Sequence, residues 1–134
     1  MKISIVTVTY NSANTIACTI ESVLKQKYED YEYIVVDGGS KDATIDIIKE
    51  WEPKFNGRMR WISEKDKGMY DGINKGIRMS TGDVVGIINS DDFYHREDIF
   101  QIINDAFKAH KGIEAIYGDV RFVNPNNLNK TVRY

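Results

Sequence analysis

The chain is poor in the features that would tie it together covalently or draw it to a polyanion. It has one cysteine, Cys18, in 134 residues, so no internal disulfide can form. That count fits a reducing compartment and excludes a disulfide-stapled scaffold. Positive charge is not in excess: 18 Lys and Arg stand against 20 Asp and Glu, for a formal net charge of −2. Without a basic field, no nucleic-acid partner is expected. No stretch approaches the ~20 apolar residues of a membrane span. The opening run "ISIVTV" at 3–8 is too short for a signal-peptide core with its flanks. Internal repeats and low-complexity segments are missing. So are two nucleotide fingerprints: no G-x-G-x-x-G follows the first apolar run, and no G-x-x-x-x-G-K-[ST] occurs anywhere.

What is present is enough apolar material for a core, at 42% of residues, and a regular alternation of patterns. Short β-branched or aromatic runs at 3–8, 33–37, 60–63, 83–88 and 115–120 are expected to be strands. Between them lie four stretches with helical spacing. The first, near 14–26, carries Ile16, Ile20, Val23 and Leu24 on one stripe. The second, near 41–52, has Ser40 as its expected N-cap, with Ile45, Ile48 and Trp51 inward. The third, near 69–80, turns Ile73, Ile77 and Met79 or Ser80 inward, and the fourth, near 97–110, carries Ile99, Ile102, Ile103, Ala106 and Phe107. Cys18 is expected to be a small, at least half-buried hydrophobe on the first helix. Strand, helix, strand, helix in this order predicts an α/β domain with a mostly parallel sheet and flanking helices. The first four strands recur at about 30 residues, one βαβ crossover each.

The polar residues then fall on one edge. "TYNS" (9–12), "DGGSKD" (37–42), "EKDKGMYDGIN" (64–74) and "NSDD" (89–92) each follow a predicted strand. The carboxyl edge of an open α/β sheet is where ligands bind. Each segment alone is ordinary turn or cap chemistry; four on one edge favour a site. Asp37, Glu64, Asp66, Asp71, Asp91 and Asp92 make that edge acidic, so it would repel a bare phosphate. A phosphate carrying Mg²⁺ or Mn²⁺ would be accepted, since hard cations share carboxylate and phosphate oxygens. Gly38 and Gly39 let a base or ribose approach the backbone closely. Tyr10, Tyr70 and Tyr94 are expected to cover loop packing rather than to stack on a base, and His95 is expected as a solvent-facing loop residue rather than a metal ligand.

In this order, "VTVTYNSANTIACTIESVLKQ", "YIVVDGGSKDAT", "EKDKGMYDGINKGI", "TGDVVGIINSDD" and "IYGDV" resemble the family-2 glycosyltransferases of the GT-A fold. "VDGGS", "DKGMYD" and "INSDD" look most like bacterial enzymes of O-antigen and other surface-polysaccharide synthesis. The resemblance implies the Rossmann-like, nucleotide-binding half of a GT-A fold. It also implies transfer of sugar from a nucleotide-sugar donor, first of all a UDP-sugar, to the hydroxyl of a saccharide or lipid-linked saccharide acceptor. Inversion at the sugar is part of the same implication.

By resemblance, Thr9 and Asp37 meet the base, with Tyr10, Asn11 and Gly39 beside them. Glu64 and Lys67 border the phosphates and sugar, and Asp71 and Asn74 face the donor from the next helix. Asn89 and Ser90 line the nucleotide, and Asp91, seconded by Asp92, holds Mn²⁺ or Mg²⁺. Asn89 stands where the family usually has the first acid of its D-x-D element. Family members are also longer, with a general base in an acceptor half after the metal strand. The expectation is thus one nucleotide-sugar-binding domain over 1–134, cut short at its C-terminus, with no catalytic base assigned; Asp119 comes too early for it. The alternative is a binding module that holds donor without transferring it. A receiver domain would need acids right after the first strand, where Thr9, Tyr10 and Asn11 stand. The expected place of action is the cytoplasm, at or near the inner face of its membrane. Peripheral membrane association and pairing of two copies stay open.

Overall fold

The computed structural model describes residues 1–124 and 126–133. It divides into two compact units, Met1–Asn104 and Asp105–Tyr134. In the first, four parallel strands form a sheet in the order β3-β2-β1-β4: β1 (Ile3–Thr9), β2 (Tyr31–Asp37), β3 (Met59–Ser63) and β4 (Val84–Ile87). Both central strands are β-branched and aromatic, and β2 is buried along its whole length, as a parallel strand covered on both faces must be. The register pairs Thr9 with Asp37 and Asp37 with Ser63, which brings three strand ends level.

Helices α1 (Ile16–Leu24) and α2 (Thr44–Trp51) and the start of α4 (Ile99–Ala109) cover one face. There Ile16, Ile20, Val23, Ile48 and Phe100 pack with Ile3, Ile5, Tyr33 and Val35. A 3-10 turn, Glu52–Phe55, adds the fully buried Phe55 to the same core. Helix α3 (Met69–Met79) covers the other face, over Val6, Ile34 and Val36. Of the expected stripe, Met79 packs against that cluster and Ile73 is half-buried. The buried residues are Gly72 and Gly76, and Ile77 is exposed. A Cβ on Gly72 would stand 2.6 Å from Val8 Cγ1, and one on Gly76 would overlap Val6 Cγ1. The helix therefore lies nearer the sheet than side chains at those two positions would allow, and Ile77 is left facing outward.

Two further differences have local causes. Ser40 does not cap α2, because its hydroxyl donates to Asp37 Oδ1 at 2.5 Å. The N-cap position is Ala43, without a side-chain cap, and Asp42 closes the turn before it, accepting from Thr44 N at 3.0 Å and Thr44 Oγ1 at 2.5 Å. In α4 the buried residues are Phe100 and Asn104, while Ile102 is exposed. Cys18 is also exposed rather than packed.

At the sheet's amino edge a buried carboxylate, Glu32, gathers four segments. Its Oε1 accepts from Ser4 Oγ at 2.7 Å, Thr81 N at 2.6 Å and Thr81 Oγ1 at 3.0 Å. Its Oε2 accepts from Arg60 Nη2 at 2.8 Å, with Lys2 Nζ 3.7 Å away. The segment entering β4 is thereby tied to β1, β2 and β3.

In the second unit, the strand expected at 115–120 does not form. Ile116, Tyr117 and Val120 are exposed, so their apolar pattern has no face to bury and no pairing to hold it extended. The regular structure there is an antiparallel pair, β5 (Phe122–Asn124) and β6 (Asn127–Arg133). The strand β6 falls in the polar, asparagine-rich stretch near the C-terminus; Pro125 and Tyr134 lie outside the described residues. Among the described residues no helix is long and apolar enough to cross a membrane.

Candidate functional site

The order β3-β2-β1-β4 places a topological switch point beside β1, since the chain builds outward to β3 and then returns across to β4. A crevice at the carboxyl ends of such strands is the ligand position of this architecture. All four polar loops converge on that edge.

The loop after β1 is laced to the loop after β2. Asn11, at a left-handed φ of 48°, donates its N–H to Ser40 Oγ at 2.7 Å and accepts at Oδ1 from Lys41 N at 2.9 Å. Asparagine tolerates that backbone region better than most residues, because its side chain bonds locally. Ser12 N donates to Thr44 Oγ1 at 2.9 Å, and Ser12 Oγ lies 3.0 Å from Ser90 Oγ, which joins the loop after β4. Tyr10 is 59% exposed at the rim. Thr9 is buried, and its Oγ1 has no hydrogen-bond partner among the described residues. A buried hydroxyl left unpaired is costly and marks a place where a ligand's polar atom would be welcome.

Asp37, at the end of β2, is fully buried. Its Oδ2 accepts from Gly39 N at 3.0 Å, Ser40 N at 2.8 Å and Ser63 Oγ at 2.7 Å, in addition to the Ser40 contact on Oδ1. Gly39 has a φ of 90°, a backbone state that favours glycine. Asp37 is therefore the latch that holds "GGS" in shape.

After β3 the acidic loop is organised by a lysine that sequence reasoning did not single out. Lys75 Nζ lies 3.1 Å from Glu64 Oε1 and 3.5 Å from Asp71 Oδ2, and its side chain is only 15% exposed. Asp71 also accepts from Lys67 N at 2.9 Å. That bond from the backbone, followed by the charge of Lys75, holds the Asp71 carboxyl below its ordinary value. Lys67 and Asn74 are exposed, while Asp66 is half-buried.

After β4, Ile88 stays in the core and Asp92 N donates to Asn89 O at 3.1 Å, closing a turn. Thr19 Oγ1 donates to Asp92 O at 2.5 Å, fixing the turn to α1. Asp91 and Asp92 are exposed side by side. Asn89 Nδ2 reaches Asp92 Oδ2 at 3.4 Å. Burial first, then the Asp91 charge, raises the Asp92 carboxyl above its ordinary value, against the Asn89 bond. Among the described residues no three His, Cys, Asp or Glu side chains form a group able to hold a metal ion. Two adjacent carboxylates with unrelieved repulsion nonetheless suit a cation whose other ligands are phosphate oxygens and water, as Mg²⁺ prefers.

Of the residues singled out from sequence, the structure gathers Asn11, Asp37, Gly39 and Ser90 into one connected frame. Tyr10, Lys67, Asn74, Asp91 and Asp92 stand on its open side. Lys75, Ser12, Ser40 and Ser63 are the additions, and Asp66, read from the sequence as part of the acidic rim, is half-buried. The hydroxyls gave no separate signal because serine is unremarkable in any turn.

Comparison with known proteins agrees with this geometry. The family model described as glycosyl transferase family 2 matches residues 4–133. A PGL/p-HBAD biosynthesis glycosyltransferase of Mycobacterium tuberculosis is 31% identical over 117 residues, covering 87% of this chain and 46% of that protein. The chain thus spans about half the length of such relatives. The crystal structure of a Staphylococcus aureus TarS fragment (S. aureus) in complex with UDP-GlcNAc superposes with a TM-score of 0.75 at 25% identity, over 82% of this chain and 32% of that one. A mannosyltransferase from Pyrobaculum calidifontis, solved with GDP-Man and Mn²⁺, shares the fold at a TM-score of 0.67 and 24% identity, over 71% of this chain and 29% of that one. The four-stranded parallel sheet with its flanking helices is the nucleotide-binding half of a GT-A fold, and the chain belongs to glycosyl transferase family 2.

Proposed function

We propose that this chain binds the donor of an inverting glycosyltransferase, a nucleotide-sugar and by preference a UDP-sugar, for transfer to an acceptor hydroxyl in bacterial surface-polysaccharide synthesis of the O-antigen type. The observation that carries the proposal is the convergence of four polar loops at the switch point, with the buried Thr9 hydroxyl unpaired at the end of β1. A TarS structure contains UDP-GlcNAc and another contains UDP, which supports a uridine donor here. Thr9, Tyr10, Asn11 and Gly39 would border the nucleoside, with Asp37 holding their loop. Glu64, Lys67, Asp71 and Asn74 would face the phosphates and sugar, Asn89 and Ser90 the ribose side. Asp91 and Asp92 would hold Mn²⁺ or Mg²⁺, which supplies positive charge to offset the diphosphate as the sugar–phosphate bond breaks. In the inverting reaction the acceptor oxygen attacks the anomeric carbon, the diphosphate leaves from the opposite face, and a base takes the acceptor proton. A saccharide or lipid-linked saccharide acceptor, action in the cytoplasm at the inner face of its membrane, and a pairing of two copies complete the proposal.

Titration calorimetry with UDP tests the donor part. Binding is expected in Mn²⁺ and lost or strongly weakened in EDTA, because an acidic rim cannot hold a diphosphate without a bridging cation. Asp91→Asn should weaken the Mn²⁺-dependent binding. Equal UDP affinity in EDTA and Mn²⁺ would overturn the metal assignment, and no UDP binding in either would overturn the donor reading.

A further inference from the structure

We propose that Thr19 of α1 is a positioning residue for the divalent cation. Its hydroxyl, bonded to Asp92 O, fixes the turn that carries Asp91 and Asp92 to the head of a buried polar rail on the helix. This rests on the metal-assisted donor reading above and adds to it what sets the placing of the two carboxylates.

The sheet releases the chain before the acids begin. After β4, Ile88 N donates to Val6 O at 3.0 Å, and residues 88–98 lie in no helix or strand. The carboxylates of Asp91 and Asp92 repel each other, and Asn89 Nδ2 reaches Asp92 Oδ2 only at 3.4 Å. The strand alone therefore does not hold the acid pair in place.

Helix α1 takes over from the sheet. Thr19 and Ser22, with Gln26 just past the end of the helix, are spaced three and four residues apart, which puts them on one stripe. All three are buried. Thr19 Oγ1 donates to Asp92 O at 2.5 Å, Ser22 Oγ accepts from Tyr94 N at 3.1 Å, and Gln26 Nε2 donates to Arg96 O at 2.6 Å. Their partners, residues 92, 94 and 96, alternate along the chain. Beyond them Lys27 N donates to Glu97 O at 2.9 Å, and Gln26 Oε1 accepts from Phe100 N at 3.1 Å. Each rung is braced on the one before: Ser22 Oγ donates to Thr19 O at 2.7 Å, and Gln26 Nε2 reaches Ser22 O at 3.3 Å. Buried backbone polar groups need partners, and side chains of the α1 segment supply them to a stretch that has no strand beside it.

Of these rungs Thr19 is the one on the acids. It holds the carbonyl of Asp92 itself, whereas Ser22 and Gln26 act two and four residues further on. Ser12 Oγ, 3.0 Å from Ser90 Oγ, ties the residue before the pair. Asp91 and Asp92 are thus held from both sides through their backbone, which leaves their side chains open to a ligand. Two carboxylates that repel converge on one cation at less ordering cost when the backbone beneath them is already fixed. Such coupling is reciprocal: a rail that favours cation binding must itself be tightened by the cation.

The experiment measures the Mn²⁺ concentration that half-saturates UDP binding to the 134-residue chain. Thr19→Val keeps the shape without the hydroxyl and should raise that concentration at least about tenfold, the usual effect of removing a group that orients a metal ligand. Thr19→Ser keeps the hydroxyl and should stay within about threefold of wild type. Uridine has no phosphate to bridge, so its affinity should stay within about threefold in both variants. Amide exchange in the wild type is the second measurement and needs no variant. Relative to the chain saturated with uridine, Mg²⁺ with UDP should slow the Tyr94 N–H at least about fivefold more than the Gly82 N–H, which donates to Ser4 Oγ at the opposite edge of the sheet. An unchanged Mn²⁺ requirement in folded Thr19→Val, or an equal rise in Thr19→Ser, would overturn the proposal while leaving the donor reading intact. Equal slowing of the two amides would overturn it as well, and decides the matter if Thr19→Val does not fold. UDP binding by the wild type that ignores Mn²⁺, or no UDP binding at all, would overturn the metal-assisted reading and this inference with it.

Discussion

Replacing Glu32 by glutamine should cost stability in a way that depends on pH, and the dependence can be worked from its surroundings. Burial alone would raise the Glu32 carboxyl, but hydrogen bonds from Ser4, from Thr81 N, from Arg60 and from Thr81 Oγ1 outweigh it and hold the pKa at about 2, against an ordinary 4.5. At 1.36 kcal/mol per unit, that gap corresponds to about 3 kcal/mol of folded-state preference for the charged form. Because the folded value is the lower one, the contribution is present in full above pH 4.5 and is lost as the pH falls toward 2. Between pH 7 and pH 3 roughly 2 kcal/mol of it should disappear. The side chain is nearly buried, so solvent screens the contribution little. The assay is urea unfolding of wild type and Glu32→Gln, followed by Trp51 and Trp61 fluorescence at several pH values. Titrations common to both chains cancel in the difference. The expected result is a destabilisation of about 2–3 kcal/mol at pH 7 that shrinks to about 1 kcal/mol at pH 3. A difference that stays constant across the range would refute the reasoning, since it would mean that the charge on Glu32 is worth nothing to the fold.

The other perturbations follow from close contacts and a buried acceptor. Gly76→Ala should destabilise by about 1–3 kcal/mol, as overpacking does, because its Cβ would overlap Val6 Cγ1; an unchanged urea midpoint would show that α3 can ride higher on the sheet at no cost. Asp37→Asn should lower the thermal midpoint, since an amide turns donors toward Ser40 and Ser63, which now donate to it; at about 1–3 kcal/mol per unsatisfied buried group the loss is readily seen by circular dichroism.

How much of this was legible in the sequence depended on whether a residue's role was carried by its own side chain. β1, β2 and β4 showed themselves because parallel strands must be β-branched and apolar, and four polar loops at their ends declared the edge that binds. The strand at 115–120 looked equally convincing, but its pattern contained no information about a partner. The face of α3 was misread for a related reason. Glycine contributes nothing to an apolar stripe, yet Gly72 and Gly76 are the residues of α3 buried against the sheet, with Met79 packed on the same cluster. Within the site, Asp37 and Asp66 are indistinguishable as acids after strands. Only the tertiary structure shows that the first accepts four hydrogen bonds from Gly39, Ser40 and Ser63 and that the second lies over Gly38. Lys75 was hidden in the same way: two of its acidic partners, Glu64 and Asp71, were plain, but the fold decides which lysine stands between them.

The position of β4 has a practical consequence for work with this chain. The strand pairs with β1 alone and ends the described sheet, and its outer residues Val85 and Ile87 are 41% and 49% exposed. A strand of four residues, "VVGI", without charge or proline, offers free backbone groups to any other extended chain. Concentrated samples should therefore self-associate along that edge, with sheet adding to sheet. Asp91 and Asp92, in the loop that follows the strand, place their negative charge beyond its end, where it would oppose stacking until a divalent cation neutralises it. Mn²⁺ added for a binding experiment would then also promote turbidity, and light scattering in a nucleotide-free control separates the two effects.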